Sequence, residues 1–272
     1  MPHEMRLKDA LTGLREMGDG SANLIVTDPP YESLERWRDM GTTTRLKKSK
    51  MSNNPWFPTV PNDYFVPFFV ECYRVLASNT HMYVMCDEET SEALRPMIRA
   101  AGFSLRKSLI WHKVGKLEKV SCPRCGTHVC DRRAPGTPGM GYPYRSAYEM
   151  ILLAEKGKRK PPEDRSVRNV LEEGWIDEAW IKSQDAYPTE KPVALCLPLI
   201  RISSEKGDLV LDPFAGSGSA GEAAFELGRD FLGFDVQQEA LDRFEERRQH
   251  WTYENPEEAP KVTGGILDFL SH

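Results

Sequence analysis

The chain has 272 residues, of which 40% are hydrophobic and 28% charged, with a formal net charge of −5, a size and composition that suit one large α/β domain or two small ones. No run approaches the length of a membrane span and the start, MPHEMRLKDA, lacks an apolar signal core. Six cysteines in a chain of this size do not read as a disulfide framework, so a reducing cytoplasm is expected. The negative mean hides segregation: between Arg36 and Lys50 the residues Arg36, Arg38, Arg45, Lys47, Lys48 and Lys50 face only Asp39, and Arg106 to Arg133 is again basic, whereas the tail from Glu222 is rich in Asp and Glu.

Asp9-Ala10-Leu11 opens an amphipathic stretch that ends near Gly18-Asp19-Gly20 and is followed by a strand over Ala22–Thr27. Ser33–Asn54 is polar and basic without periodicity and reads as a mobile loop. The spacing of Phe65, Phe68, Phe69, Cys72 and Leu76 predicts a helix over Asp63–Leu76, with a short strand at His81–Cys86. A helix over Thr90–Ala101 is stopped by Gly102, and Ser104–His112 is a strand. Gly115–Tyr144, rich in Gly, Pro and Cys, reads as an irregular insertion, after which Ala147–Ala154 returns to strand character. Glu155–Pro188 is polar, with Trp175 and Trp180 as its few apolar anchors. Val193–Ser204 is a helix, Asp208–Leu211 a buried strand, Ser219–Leu227 a helix, Asp230–Phe234 a strand and Gln238–Trp251 a helix. Strands alternating with helices predict an α/β fold with a doubly wound, mostly parallel sheet covered on both faces.

The segment DLVLDPFAGSGSAGEAAFELG is strand, glycine turn and helix. Its glycines let backbone amides approach a ligand, and the helix that follows offers its positive N-terminus to an anion. Gly216, Gly218 and Gly221 satisfy G-x-G-x-x-G, so a nicotinamide-dependent oxidoreductase must be weighed. Asp235 stands after the next strand, where an acid accepts hydrogen bonds from ribose hydroxyls. Asp212-Pro213-Phe214 inside the loop, and the short chain after Asp235, count against a dinucleotide. A nucleoside carrying a carboxylate, such as S-adenosylmethionine, fits better.

VTDPPYES poses a second question: why a strand should run into a carboxylate, two prolines and a ring. At the C-terminal end of a strand in a doubly wound sheet, the first loop residues face the ligand crevice. Prolines fix φ and carry no amide proton, which leaves rigid carbonyl acceptors. Asp28 adds an ionised acceptor and Tyr31 a flat aromatic face, a combination that suits a planar amine such as adenine N6 or cytosine N4. The lone pair of such an amine is delocalised into its ring. Accepting its two N–H protons, at Asp28 and at the Pro29 carbonyl, favours a pyramidal nitrogen able to attack. The plain alternative is a proline turn with a capping Asp.

TDPPY together with DPFAGSG resembles the amino-methylating, S-adenosylmethionine-dependent DNA methyltransferases, and the order of the two motifs is similar to the permuted β group of that family. The likeness runs from KDALTGLREMGDGSANLIVTDPPY to YPTEKPVALCLPLIRISSEKGDLVLDPFAGSGSAGEAAFELGRDFLGFDV, with LIWHK and SAYEMILLAEKGKR between them. It implies that Asp28, Pro29, Pro30 and Tyr31 form the amine pocket, with Tyr31 stacking on an extruded base. Asp212, Phe214, Ala215, Gly216, Ser217 and Gly218 would line the cofactor, Asp235 would hold its ribose, and Asp9 and Ala10 would lie near its adenine. Thr189, Lys191 and Pro192 would close over the methionine end, with Lys191 facing the carboxylate. Double-stranded DNA is the implied partner, and a homodimer and a cognate restriction endonuclease are further partners the resemblance allows.

The resemblance implies adenine N6 as the target, because enzymes acting on cytosine N4 more often carry Ser at the position of Asp28. Cytosine C5 chemistry needs a Pro-Cys dipeptide, which is absent, and protein-glutamine methylation uses Asn-Pro-Pro-Tyr after the glycine loop. CPRCGTHVC offers Cys122, Cys125, His128 and Cys130, but four ligands in so short a stretch would be strained around a tetrahedral ion and a second knuckle is missing, so free thiols are favoured over structural zinc. The expected organisation is a catalytic half over 1–114, a target-recognition insertion over 115–188 and a cofactor-binding half over 189–272.

Overall fold

The structure is a computed structural model that describes residues 3–33, 59–113, 117–121, 129–133, 144, 146–160, 162, 167–172 and 190–251. The basic segment Arg36–Lys50, Thr189, Cys122, Cys125 and His128 lie outside these residues, as do Trp175 and Trp180.

The first half of the fold comprises β1 (Glu4–Leu7), α1 (Ala10–Glu16), β2 (Ala22–Thr27), α2 (Phe65–Val75), β3 (Leu76–Cys86) and α3 (Glu88–Ala100). Next come β4 (Ser104–Leu105), β5 (Leu109–His112), a hairpin of β6 (Leu117–Ser121) and β7 (Val129–Arg133), then β8 (Tyr148–Lys156) and β9 (Val170–Leu171). The chain returns through α4 (Val193–Ser203), β10 (Leu209–Asp212), α5 (Ser219–Glu226), β11 (Asp230–Asp235) and α6 (Gln238–Gln249). The main sheet runs β1-β11-β10-β2-β3-β8-β5-β9, with β4 also paired to β8. From β1 to β3 every neighbouring pair is parallel. β8 then runs antiparallel to β3 and to β5.

Each central strand sends alternate residues to opposite faces, and both sets are apolar because both faces are covered. Ile25, Met82, Val84 and Leu152 join Leu14, Phe65, Phe68, Phe69, Leu94 and Ile98 from α1, α2 and α3. Leu24, Val26, Tyr83, Met85 and Ile151 join Leu195, Leu199, Ala223, Ala240 and Phe244 from α4, α5 and α6. A polar tie pins α4 to β3: Ser203 Oγ lies 2.7 Å from both His81 Nδ1 and Tyr83 Oη.

Three features depart from the sequence expectation. Strand β3 starts at Leu76 instead of His81, because its first residue pairs with Ala22 and its main run follows after a register shift, with Asn79 at φ 64°. The strand expected over Ser104–His112 is broken into β4 and β5, whose registers against β8 differ by one residue across Arg106–Ser108. The insertion expected over 115–188 is not one unit: β8 is a member of the main sheet, and the part expected to be irregular contains the β6–β7 hairpin. The apolar run in β8 is what commits it, since Ile151, Leu152 and Ala154 are all fully buried.

Chain order reverses between β10 and β2, which lie side by side in register Val210↔Leu24 and Leu211↔Ile25. From there β2 leads on to β3, and β10 leads to β11 on the other side. Such a switch point opens a crevice beyond the carboxyl ends of the strands. Around it, each parallel strand hands over to an aspartate at or just past its end: Asp9 after β1, Asp235 in β11, Asp212 in β10, Asp28 after β2 and Asp87 after β3.

Candidate active site

The five aspartates do different work. Asp9 caps α1, accepting from Thr12 N at 2.9 Å, which satisfies one of the amides a helix start leaves unpaired. Its other oxygen accepts from Tyr64 Oη at 2.9 Å, and that hydroxyl accepts from Leu11 N at 3.0 Å. The Tyr64 ring meets Phe214 of the glycine loop edge-on at 6.4 Å, and Phe68 lies 5.4 Å from Phe214. Ala10, buried beneath this group, belongs to the core.

Asp235 is committed to the loop beside it. Its carboxylate accepts from Gly216 N at 3.0 Å and from Gln237 N at 2.9 Å, and burial holds its carboxyl above the usual value. Gly216 and Gly218 sit at φ 51° and 81°, a left-handed conformation that strains any side chain. At Gly218 a Cβ would also collide with the Phe244 ring, and at Gly221 it would lie 2.9 Å from Phe231. The third glycine of the G-x-G-x-x-G pattern therefore serves the packing of α5 on the sheet and α6. Ala215 N donates to Phe234 O at 2.9 Å, closing the loop against β11.

Asp212 is 6% exposed, and its Oδ1 accepts from Phe214 N at 3.1 Å. Burial raises its carboxyl to about 7, with the like charges of Asp28 and Asp235 adding to the effect. The Thr27 hydroxyl lies beside it without a hydrogen bond of good geometry, and Ser219 Oγ, at the start of α5, is also buried and unpartnered. On the outer side of the loop, Arg247 of α6 pairs with Glu190 and Glu222 and reaches Ser217 Oγ at 3.5 Å. One guanidinium thereby joins the glycine loop and α5 to the residue before Lys191.

Beyond β2 the two prolines turn the chain back. Pro29 is buried, and the Pro30 carbonyl accepts from Val60 N at 2.8 Å. Tyr31 then bridges to Val60, and its ring joins the core cluster on the α1–α3 face of the sheet. Only 8% of Tyr31 is exposed, and burial, then the charges of Asp28, Glu149 and Asp87, push its phenol upward. The residue expected as an open stacking face thus packs mainly inward.

Asp28 makes an ion pair with Lys191, the residue expected to face a cofactor carboxylate. Lys191 Nζ also lies 3.4 Å from Glu149 Oε2, and Lys113 pairs with Glu149 Oε1. Lys113 Nζ is 5.2 Å from the centre of the buried Trp111 ring. Burial pushes Asp28 above the usual carboxylate range despite the pull of Lys191. It opposes ionisation of Glu149 too, but Lys191 and Lys113 outweigh it and hold that group low. Pro192 caps α4, its carbonyl accepting from Leu195 N at 3.0 Å, and Lys191 stands one residue before that cap.

Sequence reasoning found Asp9, Asp28, Lys191, Asp212, Phe214, Gly216, Gly218 and Asp235, which the fold gathers at one edge. It missed Tyr64, Lys113, Glu149 and Arg247. Glu149 left a faint signal as the lone acid at the head of an apolar strand, but its partners depend on the antiparallel register Trp111↔Glu149.

The chain is similar to the DNA adenine methyltransferase YhdJ of Escherichia coli K12, 25% identical over 93% of this chain and 85% of the relative. It is also 26% identical to the type II methyltransferase M.HpaI of Haemophilus parainfluenzae, over 91% of this chain and 74% of that one. Among solved structures, the cytosine-N4-specific PvuII DNA methyltransferase superposes with a TM-score of 0.62 at 18% identity, covering 95% of this chain and 90% of that one. A DNA modification methylase of Thermus thermophilus, complexed with S-adenosyl-L-methionine, superposes with a TM-score of 0.58 at 23% identity, over 90% and 92%. The profile of the family described as DNA methylase matches residues 22–246, and the chain belongs to that family.

Proposed function

We propose that this protein transfers a methyl group from S-adenosylmethionine to the exocyclic N6 amine of adenine in duplex DNA, acting on a base turned out of the helix. The observation that carries this reading is the register of β2 against β10, which sets Asp28 beside the glycine loop although the two are far apart in sequence. Adenine is favoured by Asp28 at the head of the proline turn and by the relative named as an adenine methyltransferase.

The residues present fit the cofactor. Asp235 and Asp212 would hold its ribose and cationic groups, Phe214 and Tyr64 near Asp9 would hold its adenine, and the unpartnered Ser219 hydroxyl would offer a donor. When bound, S-adenosylmethionine supplies an electrophilic methyl on a sulfonium. Everything else is the work of the chain. Asp28 gives one oxygen to Lys191 and keeps the other for an N–H of the amine, while the rigid Pro29 carbonyl takes the second N–H. Both bonds localise the nitrogen lone pair towards the methyl. On taking the methyl, whose bonding pair would stay with the cofactor sulfur, the nitrogen would give up one proton, and Asp28 would accept it. The nicotinamide reading of the glycine pattern falls with the family assignment.

The β6–β7 hairpin, outside the main sheet, is the element we assign to target recognition. No described helix is long and apolar enough to cross a membrane. Action in the cytoplasm is part of the proposal and rests on the bacterial relative. A homodimer and a cognate restriction endonuclease remain proposals, checked by sedimentation and by protection of methylated DNA from cleavage. The primary test is modified-base sequencing of DNA from cells expressing the protein, alongside calorimetry with S-adenosylmethionine. N6-methyladenine at one recurrent sequence is the expected result. N4-methylcytosine would reassign the base, and cofactor binding without any modified base would overturn the reading.

A further inference from the structure

Asp28, Lys191, Glu149 and Lys113 form a line of alternating charge, contributed by four separate parts of the chain. Asp28 follows β2, Lys191 precedes α4, Lys113 follows β5 and Glu149 is the second residue of β8. Only an antiparallel strand begins at the edge where the parallel strands end, so among the described strands of the main sheet β8 alone can bring an acid here at its start. All four side chains are largely buried.

An ion pair of Asp28 and Lys191 alone would be self-defeating for the reaction proposed above, on which this inference rests. A lysine committed to Asp28 draws negative charge from the oxygen that must accept the amine proton. Glu149 competes for the same ammonium from the other side. Unopposed, it would draw Lys191 away, but its second oxygen is held by Lys113. We infer that Glu149 and Lys113 are a pair of positioning residues that divide Lys191 between two carboxylates and so set the acceptor strength of Asp28. Neither touches the reacting atoms; both act through Lys191.

The groups that face Asp28 also include Asp212 from β10, Cys86 at the end of β3 and Cys196 from α4, with the Tyr31 phenol beside it. These stay the same in the variants below, so their influence cancels in a comparison.

The test is the pH dependence of single-turnover methyl transfer, measured on the full chain with saturating S-adenosylmethionine and DNA. Glu149→Gln removes a negative charge near Asp28, and its acid limb should move down by about one pH unit. Lys113→Gln removes a positive charge, and its limb should move up by a similar amount. The double variant should return close to wild type. Cofactor affinity should change less than about twofold in all three, since none removes a residue assigned to the cofactor. Shifts in the same direction, or no shift in either single variant, would overturn the inference, and so would losses that merely follow melting temperature. If Glu149→Gln fails to fold, the upward shift of Lys113→Gln still decides. Asp28→Asn is run in the same series: if it keeps turnover, the underlying reading has failed, whereas its inactivity together with unmoved limbs in the two charge variants refutes the positioning pair alone.

Discussion

Asp212→Asn should stabilise the free protein, and only above acidic pH. The carboxyl of Asp212 ordinarily ionises near pH 3.8, and in the fold it is raised to about 7 by burial. Between those values the folded chain holds about one proton more than the unfolded chain, so stability falls as pH rises. The favourable contribution of the protonated group is complete below pH 3.8 and is lost as pH rises through 7. At about 1.36 kcal/mol per pH unit over a window of about three units, the cost of charging Asp212 in place reaches about 4 kcal/mol. Asparagine cannot ionise, and its carbonyl can still accept from Phe214 N. Wild type and variant should therefore match near pH 4, and the variant should be the more stable by up to about 4 kcal/mol at pH 8. Urea unfolding of both proteins without cofactor, from pH 4 to pH 8, measures the difference directly and removes other titrating groups by subtraction. A gap that is the same at every pH would refute the reasoning, since it would trace to packing and not to charge.

Asp28→Ala should abolish methyl transfer while S-adenosylmethionine binding, followed by calorimetry on the same preparation, stays nearly intact; retained turnover would remove Asp28 from the chemistry. Asp235→Ala should weaken cofactor binding by roughly 1.5–3 kcal/mol, the range for hydrogen bonds to a charged group, and because Asp235 also holds Gly216 N and Gln237 N, local hydrogen exchange in the loop should quicken. An unchanged dissociation constant would mean that another acid holds the ribose. Tyr31→Ala should lower stability by about 3–5 kcal/mol, the usual result of truncating a buried aromatic residue, while Tyr31→Phe should keep both fold and activity. Loss of about 1–3 kcal/mol in binding to a flipped base at a temperature where the variant is folded would show that the ring stacks as well as packs.

Much of this protein is local and was readable as such. The apolar runs of β2, β10 and β11, the glycine turn before α5 and the proline turn after β2 are set by backbone preferences and side-chain periodicity over a few residues. Aspartates at strand ends, and glycines where the backbone turns left-handed at Gly216 and Gly218, follow from the same short-range rules. What the charged residues do was not readable, because Coulomb energy depends on distance and burial, and both come from register. Lys191 lies beside Asp28 because β2 and the start of α4 meet at one edge, and Glu149 joins them because β8 enters antiparallel. The same holds for Tyr31: a ring after two prolines can face outward or inward, and the pairing of Pro30 and Tyr31 with Val60 turns it in. Turns and strands were written in the sequence, whereas the partners of each charge were decided only when separate strands came side by side.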